Sequence, residues 1–157
     1  MEQVRDLIVP IQRIEFGIPI TYEDQPDLHN VTEFYRKGAG EFWVAEMDGA
    51  VVGSIALMDI GNQQSVLRKM FVREAYRGRE HGIASLLLQH LIAHAESVNF
   101  SEIILGTTSA FRAAHRFYEK AGFQRIDEDN LPTNFPRLAV DTIFYRLPLV
   151  EKQEMPS

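Results

Sequence analysis

Two arginines separated by a glycine, Arg77, Gly78 and Arg79, sit in "YRGREHGIA", where a strand-like run gives way to a long helical pattern. A helix start leaves about four backbone N–H groups without partners, and the helix dipole adds positive potential there. Small residues in such a turn let a ligand approach the backbone closely. Strand, glycine-bearing turn and helix together make an anion site suited to a phosphate or pyrophosphate. Arg77 and Arg79 would add charge-assisted hydrogen bonds. An ordinary strand-to-helix connection with surface arginines is the alternative that these residues alone leave open. The turn lacks the Lys-Ser/Thr ending of a P-loop, and the chain holds no G-x-G-x-x-G. Kinase-like and dinucleotide-oxidoreductase readings therefore lose support.

Other chemistry-bearing residues are fewer. There are no cysteines, which removes disulfides, thiolate nucleophiles and Cys-ligated zinc. His90 and His94 share a helix face at i, i+4, but no third ligand stands at supporting spacing, so a solvated helix face accounts for them better than a metal. The net charge of −6 disfavours nucleic acid as a partner, and any anion must be met by a local cluster such as Arg77 and Arg79. No apolar run reaches the ~20 residues that span a bilayer, and "MEQVRDLIVP" has no signal-peptide pattern. A cytoplasmic soluble protein is the expectation, and 157 residues suit a single domain, 1–157.

The elements that must position the turn follow from periodicity and turn chemistry. Val4, Leu7, Ile8, Ile11 and Ile14 recur at helical spacing, with Pro10 a break or kink. "TYED" offers an N-cap, and a second helix runs through "DLHNVTEFYRK" to Gly38. "EFWVAEM", a tight turn at Asp48-Gly49 and "AVVGSIALMDI" form a hairpin. "SVLRKMFV" is a third antiparallel strand, reached through "GNQQ". A helix from about Gly82 to Val98 places Ile83, Leu87, Leu91 and Ala95 on one line. "EIILGTT", almost wholly apolar, suits a buried central strand. "AFRAAHRFYEKAG" is a helix closed by Gly122, and "FQRI" and "LAVDTIFYRL" complete the sheet around the loop "DEDNLPTNFPR". The order predicts an α/β (α+β) layered domain with a mixed sheet. Trp43 is expected in the core.

Two motifs together give the chain a resemblance to the GNAT family of N-acetyltransferases. The family's turn signature, Arg/Gln-x-x-Gly-x-Gly/Ala, reads here as Arg79-Glu80-His81-Gly82-Ile83-Ala84. A downstream helix signature, A-x-x-F-Y-x-K-x-G-F, is matched at Ala114, Phe117, Tyr118, Lys120, Gly122 and Phe123. Three departures accompany the match. The turn is two residues longer than the usual one, so either Arg77 or Arg79 can take the family's arginine position. Phe111 stands where the family often has Asn. The family fold normally opens with a strand, whereas this chain begins with a helix pattern.

The resemblance implies a mostly antiparallel mixed sheet of about six or seven strands with about four helices, and a splayed parallel pair at its centre. The pair would be "LRKMFV" and "EIILGTT", the first carrying a bulge. It implies acetyl-CoA as co-substrate and no metal. Backbone groups of Met70, Phe71 and Val72 would pair with the pantetheine arm, one N–H there holding the thioester oxygen as the amine attacks. The pyrophosphate would rest on the turn from Arg77 through Gly78, Arg79, His81, Gly82, Ile83 and Ala84 to Ser85, with His81 contributing its backbone N–H. Tyr118 matches the tyrosine that faces the sulfur, a proton donor to the departing thiolate. Phe117 and Tyr118 diverge by about 100°, so one can pack while the other faces the cleft.

The implied function is acetyl transfer from acetyl-CoA to a primary amine by direct attack in a ternary complex. A family-fold domain that holds acyl-CoA without transferring it is the alternative. An amine of pKa about 10.4 is neutral in only about one molecule in a few thousand at pH 7, so a base is needed. Some relatives place Glu near Ser65, which cannot serve; Asp59, Glu33 or a water relay remain, each carboxylate also readable as solvated surface. Arg112, Arg116 and Lys120 are read as a solvated face rather than an adenosine contact. "NLPTNFPR" lies where family members often shape the acceptor pocket. The partners implied are a small-molecule or peptide amine, with no nucleic acid and no membrane; a homodimer is compatible.

Overall fold

A computed structural model describes residues 2–11, 35, 36, 38–77, 82–108, 112–136 and 141–149. Helix α1 spans Glu2–Pro10, with Pro10 its last residue. Strand β1 (Glu41–Met47) turns through Asp48 and Gly49, both at positive φ, into β2 (Ala50–Gly61). That pair of left-handed residues is what a two-residue hairpin requires, because its twist then matches the strands. A second such turn, Asn62 and Gln63, also both at positive φ, leads into β3 (Gln64–Val72). Helix α2 (Ile83–Ser97) follows, then β4 (Glu102–Thr107), α3 (Arg112–Lys120), β5 (Gln124–Ile126) and β6 (Ile143–Pro148). Gly122, at φ 101, lies two residues beyond α3, as a helix stop should. The second expected helix falls almost wholly outside the described residues. Among the described residues, six strands and three α-helices therefore stand against the expected six or seven and four.

The sheet order is β1-β2-β3-β4-β6-β5. All neighbours are antiparallel except β3 and β4, which run parallel at the centre. The apolar character of β4 follows from that place: Ile103, Ile104 and Leu105 are all buried. Two apolar clusters cover the sheet on opposite faces. Val4, Leu7, Ile8 and Ile11 of α1 pack with Val51, Phe42 and Phe71 on one face. Ile83, Leu87, Leu88, Leu91 and Ala95 of α2 pack with Ile55, Leu57, Leu67, Val72, Ile103 and Leu105 on the other. Tyr118 and Phe123 join this second cluster. Trp43 is half-buried at its margin, its ring edge-on to His94 at 5.4 Å.

Strand β3 departs from regular pairing on both of its sides. Its register with β4 holds for Gln64↔Glu102, Ser65↔Ile103 and Val66↔Ile104 and then stops, although both strands continue. The expected splay is therefore present. Against β2 the register slips between Ser54↔Phe71 and Ala56↔Arg68, an extra residue at Lys69 and Met70. Lys69 takes a positive φ of 55, and the Ser54 hydroxyl donates to its carbonyl at 2.6 Å. That is a β-bulge with its own side-chain support.

Candidate active site

The paired register of β3 and β4 ends at Val66 and Ile104, and both strands run on beyond it. Met70, Phe71 and Val72 form one wall, beyond the bulge. Met70 and Val72 pack toward α2, and Phe71 toward α1. The strand end is fixed to β2, since the Arg73 backbone N–H donates to Val52 O at 2.8 Å and its Nε to Val51 O at 3.1 Å. Arg77 turns back on the same strand, its Nε donating to Val72 O at 2.7 Å. This arginine thus braces the mouth of the opening. Gly78, Arg79 and His81 lie outside the described residues.

Gly82 caps α2 from the left-handed region, at φ 61 and ψ 15. No described side chain caps this helix start, and no acidic residue occupies its first turn. A Cβ placed on Gly82 would meet nothing within 4 Å among the described residues. Ile83, Ala84 and Ser85 form the first turn at the positive end of a 15-residue helix, with no side-chain cap from Gly82. Ile83 is buried beneath, Ala84 half-buried, and Ser85 exposed.

Tyr118 lies on the α2 side of the sheet, 5% exposed. Its ring stands 5.6 Å from Phe123, 5.8 Å from Phe117 and 6.3 Å from Tyr145. Burial alone pushes its phenol far above the ordinary range. The phenol therefore keeps its proton throughout the physiological pH range. Phe117 is half-buried beside it, so Tyr118 is the more deeply packed of the two neighbours. Tyr145 donates to Glu119 Oε2 at 2.6 Å, and burial, then that carboxylate, push its phenol up to about 12.

Asp59 is neither a free base nor a solvated surface acid. Oδ2 accepts the Ala39 N–H at 3.0 Å and Oδ1 the Gly61 N–H at 2.9 Å, so both oxygens hold the loops at one end of β2. Glu33 lies outside the described residues. Ser65, where some relatives place Glu, is fully buried and donates to Glu102 O at 2.8 Å. His94 departs from the solvated face expected of it: its Nε2 is 2.7 Å from Ala39 O, and its ring meets Trp43. His90 is exposed, and no group of metal-binding residues occurs among the described ones. Arg116 and Lys120 are exposed, as a solvated face requires; the Arg112 side chain is not among those described.

Two charged residues near the opening escaped sequence reasoning, Arg68 and Asp141. Asp141 is the lone charge of the apolar run "LAVDTIF", and that contrast was the available signal; Arg68 stands beside Lys69 in "SVLRKMFV" and has no such signal. Strand alternation opposite Leu67 places Arg68 on the α1 side, where its Nη2 donates to Pro136 O. Asp141 is 5% exposed. A Cβ built on Gly106 would stand 2.6 Å from its Oδ2, so its carboxylate lies over β4. The loop of "NLPTNFPR" roofs this face. Phe135 meets the Phe144 ring edge-on at 5.9 Å, and Asn134 Nδ2 donates to Ile60 O at 2.6 Å.

No helix among the described residues is long and apolar enough to cross a membrane. A model of the acetyltransferase (GNAT) family matches residues 2–123. An N-acetylaspartate synthetase from Danio rerio is 35% identical over 125 residues, covering 77% of this chain and 44% of that protein. The chain spans less than half the length of the N-acetylaspartate synthetases it matches. A GNAT-family acetyltransferase from Staphylococcus aureus Mu50 superposes with a TM-score of 0.90 at 38% identity, covering 95% of this chain and 92% of that one. An acetyltransferase from Streptococcus agalactiae 2603 does so at 0.90 and 32%, covering 94% and 90%. With its family model, its splayed central strands and its open helix start in agreement, the chain belongs to the acetyltransferase (GNAT) family.

Proposed function

We propose that this domain transfers an acetyl group from acetyl-CoA to a primary amine, by direct attack in a ternary complex. The observation that carries the reading is the β3–β4 pairing, which stops at Val66 and Ile104, ahead of the bulge at Lys69 and Met70 that redirects β3. The fit to coenzyme A rests on two features. Parted strand edges suit the amide-bearing pantetheine arm, as an added strand. The start of α2, without a side-chain cap and with a left-handed glycine at 82, suits a diphosphate.

When bound, acetyl-CoA supplies an acetyl thioester open to nucleophiles. Met70, Phe71 and Val72 orient the arm, and a backbone N–H at the bulge stabilises the oxygen that gains charge as the amine adds. Gly82, Ile83, Ala84 and Ser85 hold the diphosphate with Gly78, Arg79 and His81, while Arg77 shapes the mouth through Val72. As the new C–N bond forms and the C–S bond breaks, Tyr118 gives its proton to the departing sulfur. The proton lost by the amine leaves through water, because Asp59 is committed to backbone. Relatives named N-acetylaspartate synthetase support an amino acid as the amine's bearer.

A second reading, a domain that binds acyl-CoA without transferring it, draws on the engagement of Asp59. Free thiol release from acetyl-CoA over an amine panel separates the two. Release that depends on an amine supports transfer; binding in a calorimeter with no release across the panel supports the second reading.

A further inference from the structure

From Val51 to Leu57 every residue of β2 is buried, and Ser54, 0% exposed, carries the only hydroxyl among them. A buried hydroxyl is costly unless it is hydrogen-bonded. Ser54 finds its partner on the neighbouring strand, where it donates to the Lys69 carbonyl at 2.6 Å. That carbonyl belongs to the residue at which β3 bulges and takes a positive φ of 55. A non-glycine residue is strained in this region, and a bond to its carbonyl helps to hold it there.

The bond fixes an N–H as well as a carbonyl. The peptide between Lys69 and Met70 is planar and trans, so its C=O and its N–H point in opposite directions. With the carbonyl drawn to Ser54 on β2, the Met70 N–H points away from β2. The register agrees. Arg73 donates its backbone N–H to Val52 O, and Phe71 stands opposite Ser54, so residues 71 and 73 turn their backbone groups to β2. Met70 and Val72 alternate with them and turn theirs to the β4 side. There β4 no longer pairs with β3, whose last register pair is Val66↔Ile104. The Met70 N–H is thus aimed into the opening. A donor on the carbonyl oxygen also polarises the amide and strengthens its N–H as a donor in turn.

We propose that Ser54 is a positioning residue for acetyl transfer: by holding the Lys69 carbonyl, it aims the Met70 N–H at the thioester oxygen. The inference rests on the transfer reading. Within that reading it names the donor to the oxygen that gains charge and the group that fixes this donor. Ser54 is buried and acts through one peptide plane. Without its hydroxyl, that plane is free to rotate and the N–H loses its aim. A donor fixed in advance stabilises the developing charge without reorganising during the reaction.

The first test uses the wild type and no amine. Infrared difference spectra are taken of bound acetyl-CoA carrying an isotopic label at its carbonyl carbon. The thioester carbonyl stretch should fall below that of the free molecule, and an unshifted band overturns the inference. In Ser54→Ala the band should return toward its free position. Amine-dependent thiol release should show kcat lowered by about 10- to 30-fold, less than the ~100-fold or more that outright loss of an oxyanion donor costs. Acetyl-CoA affinity and the amine KM should stay within about threefold, a split that general loss of packing would not give. Ser54→Thr keeps the hydroxyl and should recover most of both the band shift and kcat. A Ser54→Ala variant with the wild-type band overturns the inference and leaves the transfer reading standing, whatever its kcat. No amine-dependent thiol release from the wild type across an amine panel would remove the transfer reading, and this inference with it.

Discussion

At one end of the β3–β4 pair, the strands are tied by side chains as well as by backbone. Ser65 donates to Glu102 O at 2.8 Å, and Glu102 accepts from Arg146 at 2.7 Å and from Gln64 at 3.3 Å. Ser101 adds its backbone N–H and its hydroxyl to Gln63 O at 2.7 and 3.0 Å. At the other end no register joins the strands. There the sequence supplies a bulge at Lys69, a left-handed glycine at 82 and an uncapped helix. A strand pair cannot be opened along part of its length unless the rest is held, because exposed edges invite slippage. The closed end supplies that hold, and the open end is released for a ligand. Stability and binding should accordingly separate by position.

Gly82→Glu should break the open end most severely, cutting acetyl-CoA affinity by more than about 100-fold, or roughly 2.7 kcal/mol. The left-handed φ adds about 1–2 kcal/mol of strain for any non-glycine residue. Gly82→Ala carries that strain without the charge, and calorimetry on both variants isolates the repulsion. Next in size, Tyr118→Phe should lower kcat by about 100-fold while acetyl-CoA affinity stays within about threefold. Unchanged turnover would remove Tyr118 from the proton-donor role. At the closed end, Ser65→Ala should cost about 1–2 kcal/mol in denaturant unfolding, since the Glu102 carbonyl loses the donor that the buried Ser65 hydroxyl supplies. Acetyl-CoA affinity should not move.

The smallest effect concerns Tyr145. Its phenol is raised from 10.0 to about 12 in the folded chain. A raised value means that the folded state binds this proton more tightly than the unfolded state does. The resulting stability is complete below pH 10 and is lost as pH climbs toward 12. Tyr145→Phe should flatten that alkaline limb of the melting temperature, and an unchanged limb would assign it to other groups.

Much of this architecture is legible in the chain. Alternation and the Asp48-Gly49 turn gave β1 and β2 nearly to the residue, and the apolar run of β4 announced its central place. These are local signals, set by period and turn chemistry within a few residues. Long-range partners left no such trace. The bond from Ala39 that occupies one oxygen of Asp59 and the anchoring of His94 by Trp43 and Ala39 each depend on the folded path of the chain. Arg68 and Asp141, separated by more of the chain than any of these pairs, share a face only because β3 and β4 are neighbours. Apolar neighbours marked Asp141 as odd, while Arg68 stands beside Lys69 and was not marked.

A crystal structure with acetyl-CoA bound tests the central claim most directly. The pantetheine arm should enter between β3 and β4 beyond Val66 and Ile104, the diphosphate should rest on the amides of Ile83, Ala84 and Ser85, and the sulfur should face Tyr118. A cofactor lodged elsewhere on the sheet, with the amides at Gly82–Ser85 untouched, would contradict it.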